Sequence, residues 1–248
     1  MLNLCLHCGS RHVERDQIER CPTPTRTDTW VPIPHFRLLE QVEATLTGAG
    51  LKIVNQAHAM PHDGLRYFGL MQVTNGHSHQ DYGMVLGLRN SHDKSFPASL
   101  AVGSGVFVCD NMAFSAEVVI ARRHTVFIER DLPGLVAGAV GRLGDLRQQQ
   151  DDRIEAYKAT KVTHTRAHDM IVRAVDARVV PVTAVPEVLQ EWRRPRHAEF
   201  AQGGQTAWRL FNAFTEAVKG RNLEALPRRT QALHGLMDVL CGVGSNAN

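Results

Sequence analysis

The hydrophobic period of this chain changes after about residue 125, and that change limits what it can fold into. Between residues 51 and 125 lie six short apolar segments, LKIVNQAHAM, LRYFGLMQV, YGMVLGLR, FPASLAV, GVFVCDNM and AEVVIARRHT. Val, Ile, Phe and Tyr recur in them, and polar breaks (HDG, NGHSHQ, NSHDK, GSG) separate them. Such segments suit a pleated, half-buried surface, and the breaks are too short for a helical crossover. Five or six antiparallel strands are therefore predicted. From Leu132 the apolar residues recur instead at three and four: Leu132, Leu135, Val136, Ala139, Val140, Leu143 and Leu146. This predicts a long helix continuing through Ile154 and Tyr157. Gly138, Gly141 and Gly144 each cost it about 1 kcal/mol relative to Ala, so close packing against a neighbour is expected there.

On the N-terminal side, CPTPTRTDTWVPIPH places four prolines among threonines, which favours an extended arm. Trp30, Val31 and Ile33 are the residues expected to pin it to the body. A helix should enter at Pro34, bury Phe36, Leu39, Val42 and Leu46, and close at Gly48 or Gly50. In the second half, helices are expected from Arg166 to Ala177 and from Pro186 to Trp192. TAWRLFNAFTEAVKG should form another, capped by Thr206 and closed by Gly220, and a last one should start at Pro227. The chain thus reads as α+β in three segments: an extended arm (1–34), a helix with an antiparallel sheet (35–130), and a helical half with a C-terminal tail (131–248).

Composition narrows the function. Lys and Arg exceed Asp and Glu by only 28 to 25, so a polyanionic partner is permitted without being demanded. Aromatic residues make up 6%, so base-stacking platforms must be few. There is no run of about 18 apolar residues to span a bilayer, and the first residues do not resemble a secretory signal. Five cysteines, an odd number in a chain too large to need staples, suit a reducing compartment, and a cytoplasmic location is expected.

Four constellations carry chemistry. Cys5, Cys8, His12 and Cys21 half-match a zinc set, with free thiols on an arm as the competing interpretation. Asn90, Ser91, His92, Asp93 and Lys94 form a polar knot between two strands. With His77 and His79 of the preceding turn, His92 and Asp93 would serve a metal-assisted hydrolase or nuclease; otherwise the knot is a tight turn that contacts an anion. Cys109, followed by Asp110 and Asn111, is either a nucleophile activated by a histidine or a small buried hydrophobe. Finally, Arg89 and Lys94 at the knot and Arg122, Arg123 and His124 at the end of the last strand would converge on one edge of an antiparallel sheet. Lys158 and Lys161 extend this set, while Arg193 to His197 form a separate basic cluster.

The motifs GLRNSHDKSFP, GVFVCDNMAF, RRHT, RDLPGLV and TAWRLFNAFT, with HCGS and VPIPH near the start, resemble the phage/plasmid-like family called domain of unknown function 932. The likeness runs from about Leu6 to Leu240. It implies a setting on phages, prophages and mobile plasmids, and brings no established activity with it. Cys5 and Cys21 depart from the family pattern, which tells against zinc as a family-wide cofactor. The order helix, antiparallel strands, helix is also similar, in coarse topology, to single-strand annealing proteins, which oligomerise and hold single-stranded DNA by its backbone. The leading expectation is therefore a non-catalytic, homo-oligomeric DNA-binding protein. Arg89, Lys94, Arg122, Arg123, Lys158 and Lys161 would meet phosphates, while Asn90 and His92 shape the loop or bond one. A metal-assisted hydrolase and a host-interaction or anti-defence protein are the alternatives, the latter with an apolar patch around the last two helices.

Overall fold

The computed structural model describes residues 10–76, 82–106, 111–113, 118–219 and 226–244. Its contacts group the described residues into two compact units. One runs to Gly103 and includes 118–145; the other comprises 104–106, 111–113 and the chain from Leu146 onward.

The first unit holds the sheet. A two-residue strand β1 (Arg11–His12) pairs antiparallel with β2 (Lys52–Met60), β2 with β3 (Arg66–Thr74), and β3 with β4 (Tyr82–Ser91). β4 neighbours β5 (Ala98–Val106), whose residues 98–101 pair antiparallel with β7 (Val118–Arg122). The α+β class is as expected from the apolar segments. FPASLAV and the start of GVFVCDNM do not form separate strands, because the GSG between them continues β5 instead of turning.

Strand β3 is central, and five consecutive residues from Tyr67 to Met71 are buried, so both of its faces are covered. Gly69 is required there: a Cβ would meet the phenolic oxygen of Tyr67 at 2.5 Å. That oxygen lies 3.0 Å from His58 Nδ1, in a buried polar pair.

Helix α2 (His35–Gly48) packs on β2 and β4 through Leu38, Leu39, Val42 and Leu46. The expected stripe is shifted by one residue at its start, since His35 is buried and Phe36 is only half-buried beneath the Arg15 guanidinium. The arm is not wholly extended, for α1 (Arg15–Glu19) interrupts it. Glu14 and Gln17 form a capping box there, and Ile18 goes to the core. Further along, Val31 and Ile33 are buried, and Val31 N–H donates to the His124 carbonyl at 3.2 Å, which pins the arm as expected.

The expected long helix is two. α3 (Ile128–Gly141) ends at Arg142, whose N–H reaches the Ala139 carbonyl in a tightened last turn, and α4 (Leu143–Ala159) follows. A Cβ on Gly138, Gly141 or Gly144 would meet nothing within 4 Å, so close packing is not what these glycines serve. Their low helix propensity flanks the break.

The second unit is helical: α4 from Leu146, α5 (His164–Asp176), α6 (Val185–Arg193), α7 (Ala198–Gln202), α8 (Ala207–Val218) and α9 (Leu226–Cys241), with β6 (Asn111–Ala113) paired to residues 104–106. Thr206 caps α8 by accepting from Arg209 N–H, as its position predicts; Gly220 lies outside the described residues. Trp192, Tyr157, Phe211 and Phe214 fill the core. All of α8 except Arg209 is buried, whereas Val239 of α9 is exposed.

Candidate functional site

The polar knot after β4 owes its shape to hydrogen bonds with the arm. Asn90 is fully buried, and its amide donates to the Ile33 carbonyl at 2.8 Å and to His35 Nδ1 at 2.9 Å. His92, 4% exposed, lies with Nε2 2.9 Å from the same carbonyl, while His35 Nε2 meets the Gly64 carbonyl at 2.9 Å. Carbonyl oxygens only accept, so both Nε2 atoms carry the proton and both Nδ1 atoms a lone pair. The two imidazoles stack 3.8 Å apart and nearly parallel. Burial, then the neighbouring His92, pushes His35 down to about 3, and burial also lowers His92. Both rings are neutral at pH 7.

The loop beyond is closed by Ser91, whose hydroxyl donates to the Phe96 carbonyl and accepts from Phe96 N–H. Asp93 is engaged at both of its oxygens. One carboxylate oxygen takes Arg66 Nε at 2.7 Å, and the other takes Ser95 N–H at 3.0 Å. Burial opposes ionisation of Asp93, but these bonds bring its carboxyl down to about 2. Between Asp93 and Ser95, Lys94 adopts φ +63°, a left-handed conformation that lysine rarely takes.

An open cleft of about 600 Å³ lies over this loop, wholly within the first unit, lined among others by Trp30, Lys94, Ser95, Phe96, Arg123 and His124. Lys94 Nζ sits 4.8 Å above the centre of the Trp30 ring. Trp30 in turn stacks on His124, with centroids 6.3 Å apart. Burial, then His92, pushes His124 down to about 4, and both of its ring nitrogens are buried without a hydrogen-bond partner. Lys94 and Arg123 are both exposed, and among the described residues neither has a carboxylate within ion-pair distance.

The remaining expected residues are placed differently. Arg122 turns to α3, where Nη2 meets Asp131 at 2.8 Å. Arg89 is half-buried with its guanidinium over Phe96. Lys158, paired with Glu155 at 3.1 Å, and Lys161 belong to the second unit. In the separate basic cluster Arg196 is structural, because it meets Glu187, Glu191 and Glu216, whereas Arg193 and Arg194 are exposed. Sequence reasoning does not find His35: it occupies an apolar position of a helix stripe, and only its place after VPIP hints at a role. Trp30 is legible as an anchor but not as a wall of the cleft.

Of the expected metal ligands, Cys5, Cys8, His77 and His79 lie outside the described residues, as do Cys109 and Asp110. Among the described residues, Cys21, His35 and His92 bring three ligand atoms within 4.8 Å of one another, and His12 is not among them. The chemistry of this set does not suit an ion. His35 has both nitrogens committed, and lone pairs in parallel rings 3.8 Å apart do not converge on a point about 2 Å from each. Cys21 Sγ instead donates to the Gly64 carbonyl at 3.3 Å, and Gly64 must be glycine, since a Cβ would stand 2.9 Å from that sulfur. The cluster rivets the arm to the sheet.

The fold and site together define an α+β protein with a cation-bearing cleft on its sheet unit. Residues 24–236 match the family described as Domain of unknown function (DUF932), so the chain belongs to that family. No curated protein and no solved structure matches it. Among the described residues, no helix is long and apolar enough to cross a membrane.

Proposed function

We propose that this protein is a non-catalytic DNA-binding protein of a phage or plasmid. It acts in the cytoplasm as a homo-oligomer that holds single-stranded DNA by its backbone during recombination or replication. The supporting observation is that Lys94 and Arg123 reach one cleft from distant parts of the chain, and that among the described residues no carboxylate stands within ion-pair distance of either. A cation whose charge is not neutralised within the fold is available for phosphate. Arg89 and Arg122 flank the same loop and strand end, and Asn90 and His92 act by holding Lys94 in place. Lys158 and Lys161, in the second unit, are not required. A hydrolase built on Asp93 is disfavoured, because its charge is already paired with Arg66 and its other oxygen closes the loop on Ser95 N–H.

The test is anisotropy of a labelled oligonucleotide at about 50 and 200 mM salt, with light scattering for assembly. Affinity should fall with salt. Lys94→Ala with Arg123→Ala should flatten the log–log slope by about 1.4, at about 0.7 for each phosphate that is no longer neutralised. Absence of binding at the lower salt, or equal affinity at both, rejects the proposal.

A further inference from the structure

We propose that the cleft takes one nucleotide of a single strand, with a phosphate between Lys94 and Arg123 and the base on the indole face of Trp30 that Lys94 now covers. This rests on the single-strand function above and specifies the unit that is bound. At about 600 Å³ the cleft falls within the range of small-ligand sites, about 300–1,000 Å³. Its lining mixes apolar surface from Trp30, Phe96 and Pro97 with polar groups: Ser95 and Thr29 are exposed, and the Thr125 hydroxyl is buried without a partner.

The contact between Lys94 and Trp30 is the informative feature. An ammonium over an indole is a weak, exposed interaction, and a phosphate is the stronger partner for the same charge. When a phosphate draws Lys94 away, the face beneath the ammonium opens. The indole also stacks on His124, which is 6% exposed, with both ring nitrogens buried and without a hydrogen-bond partner. A base arriving on the face that the ammonium leaves stacks on an indole already held against the His124 imidazole. The left-handed backbone at Lys94 fits this interpretation, since such strain persists where the surrounding bonds enforce it and gathers at ligand clamps. Asp93, Ser91 and Phe96 supply those bonds. A base paired within a duplex cannot present its face in this way, so single strands are selected.

Tryptophan emission of the full chain, titrated with oligodeoxythymidylate, with the same strand annealed to its complement, with thymidine monophosphate and with inorganic phosphate, tests this. Trp192 and Trp208 are buried in the second unit, so a response is assigned by its loss in Trp30→Phe. The single strand should quench emission and bind at least about tenfold more tightly than the duplex. Trp30→Leu should weaken it about tenfold with an unchanged salt slope, since stacking carries no counterion release. Thermal melts and Trp30→Phe, which keeps a ring, guard against a folding defect. Quenching by inorganic phosphate as large as by the nucleotide overturns the assignment of the base to Trp30. So does salt-dependent binding of the oligonucleotide with no change in Trp30 emission, which leaves single-strand binding intact. No binding of any strand at low salt overturns the broader function as well.

Discussion

Lys94 of the sheet unit and Arg196 of the helical unit are both cations with water access, yet their surroundings are opposite. Arg196 is met by three carboxylates, two of them on largely buried Glu191 and Glu216. Lys94 is met by an indole, and the one carboxylate beside it in sequence is taken up by Arg66 and Ser95. Arg196 uses its charge to hold the helical unit together, as Arg66 and Arg122 do in the sheet unit, whereas Lys94 keeps its charge for something else. The interiors differ in degree. Among the described residues the helical unit packs Trp192, Phe211 and Phe214 with one buried histidine, His234, while the sheet unit buries four, His35, His58, His92 and His124, along with Asn90. A basic residue in this chain is therefore informative about binding only once its acidic neighbours are known.

The largest effect that would sharpen this contrast is acid sensitivity. In the sheet unit burial holds His35 down at about 3, and His58 and His124 at about 4, against an ordinary 6.5, while in the helical unit burial lowers the one buried histidine, His234. Between about pH 6.5 and 3 the unfolded chain thus binds more protons than the folded one, so stability is complete above that window and falls as the pH drops through it. Each histidine contributes up to about 1.4 kcal/mol per pH unit. Urea unfolding at pH 7 and pH 5 should differ by several kcal/mol, with amide protection lost in β3 and β4 before α8. Equal loss in both units would break the comparison.

Next in size is Phe214→Ala, which should cost about 3–5 kcal/mol in the apolar core of the helical unit. Its cost should be the same at pH 7 and pH 5, as measured by the denaturation midpoint. Gly69→Ala is smaller: the new methyl drives into the buried Tyr67 phenol, for about 1–3 kcal/mol, with weakened protection around His58. The smallest is Lys94→Gly, which relieves the left-handed strain and should stabilise by at most about 1 kcal/mol while weakening oligonucleotide binding. A lysine that stabilised the fold at that position would remove the reason for calling it a binding residue.

Strands β2, β3 and β4 are legible in the sequence to within about two residues, because alternation and turn signals are local properties. Helices α2 and α8 are legible for the same reason, through stripe and cap. What misleads is also local. Three glycines in a helical period suggest close packing, yet they flank a break at Arg142, and a GSG that looks like a turn continues β5. The short α1 is hidden among prolines and polar residues, where one apolar residue, Ile18, is too little for a periodic signal.

The amino-acid sequence by itself determined the α+β class, the place where strands yield to helices, and the roster of residues able to meet an anion. It could not rank that roster. Arg122, Arg123, Lys94 and Arg196 carry the same formal charge and differ only in what folding sets beside them: Asp131, open solvent, an indole and three glutamates. Charge is a property of a residue, but its neutralisation depends on distances of a few ångströms between groups remote in the chain. Only the tertiary structure sets those distances.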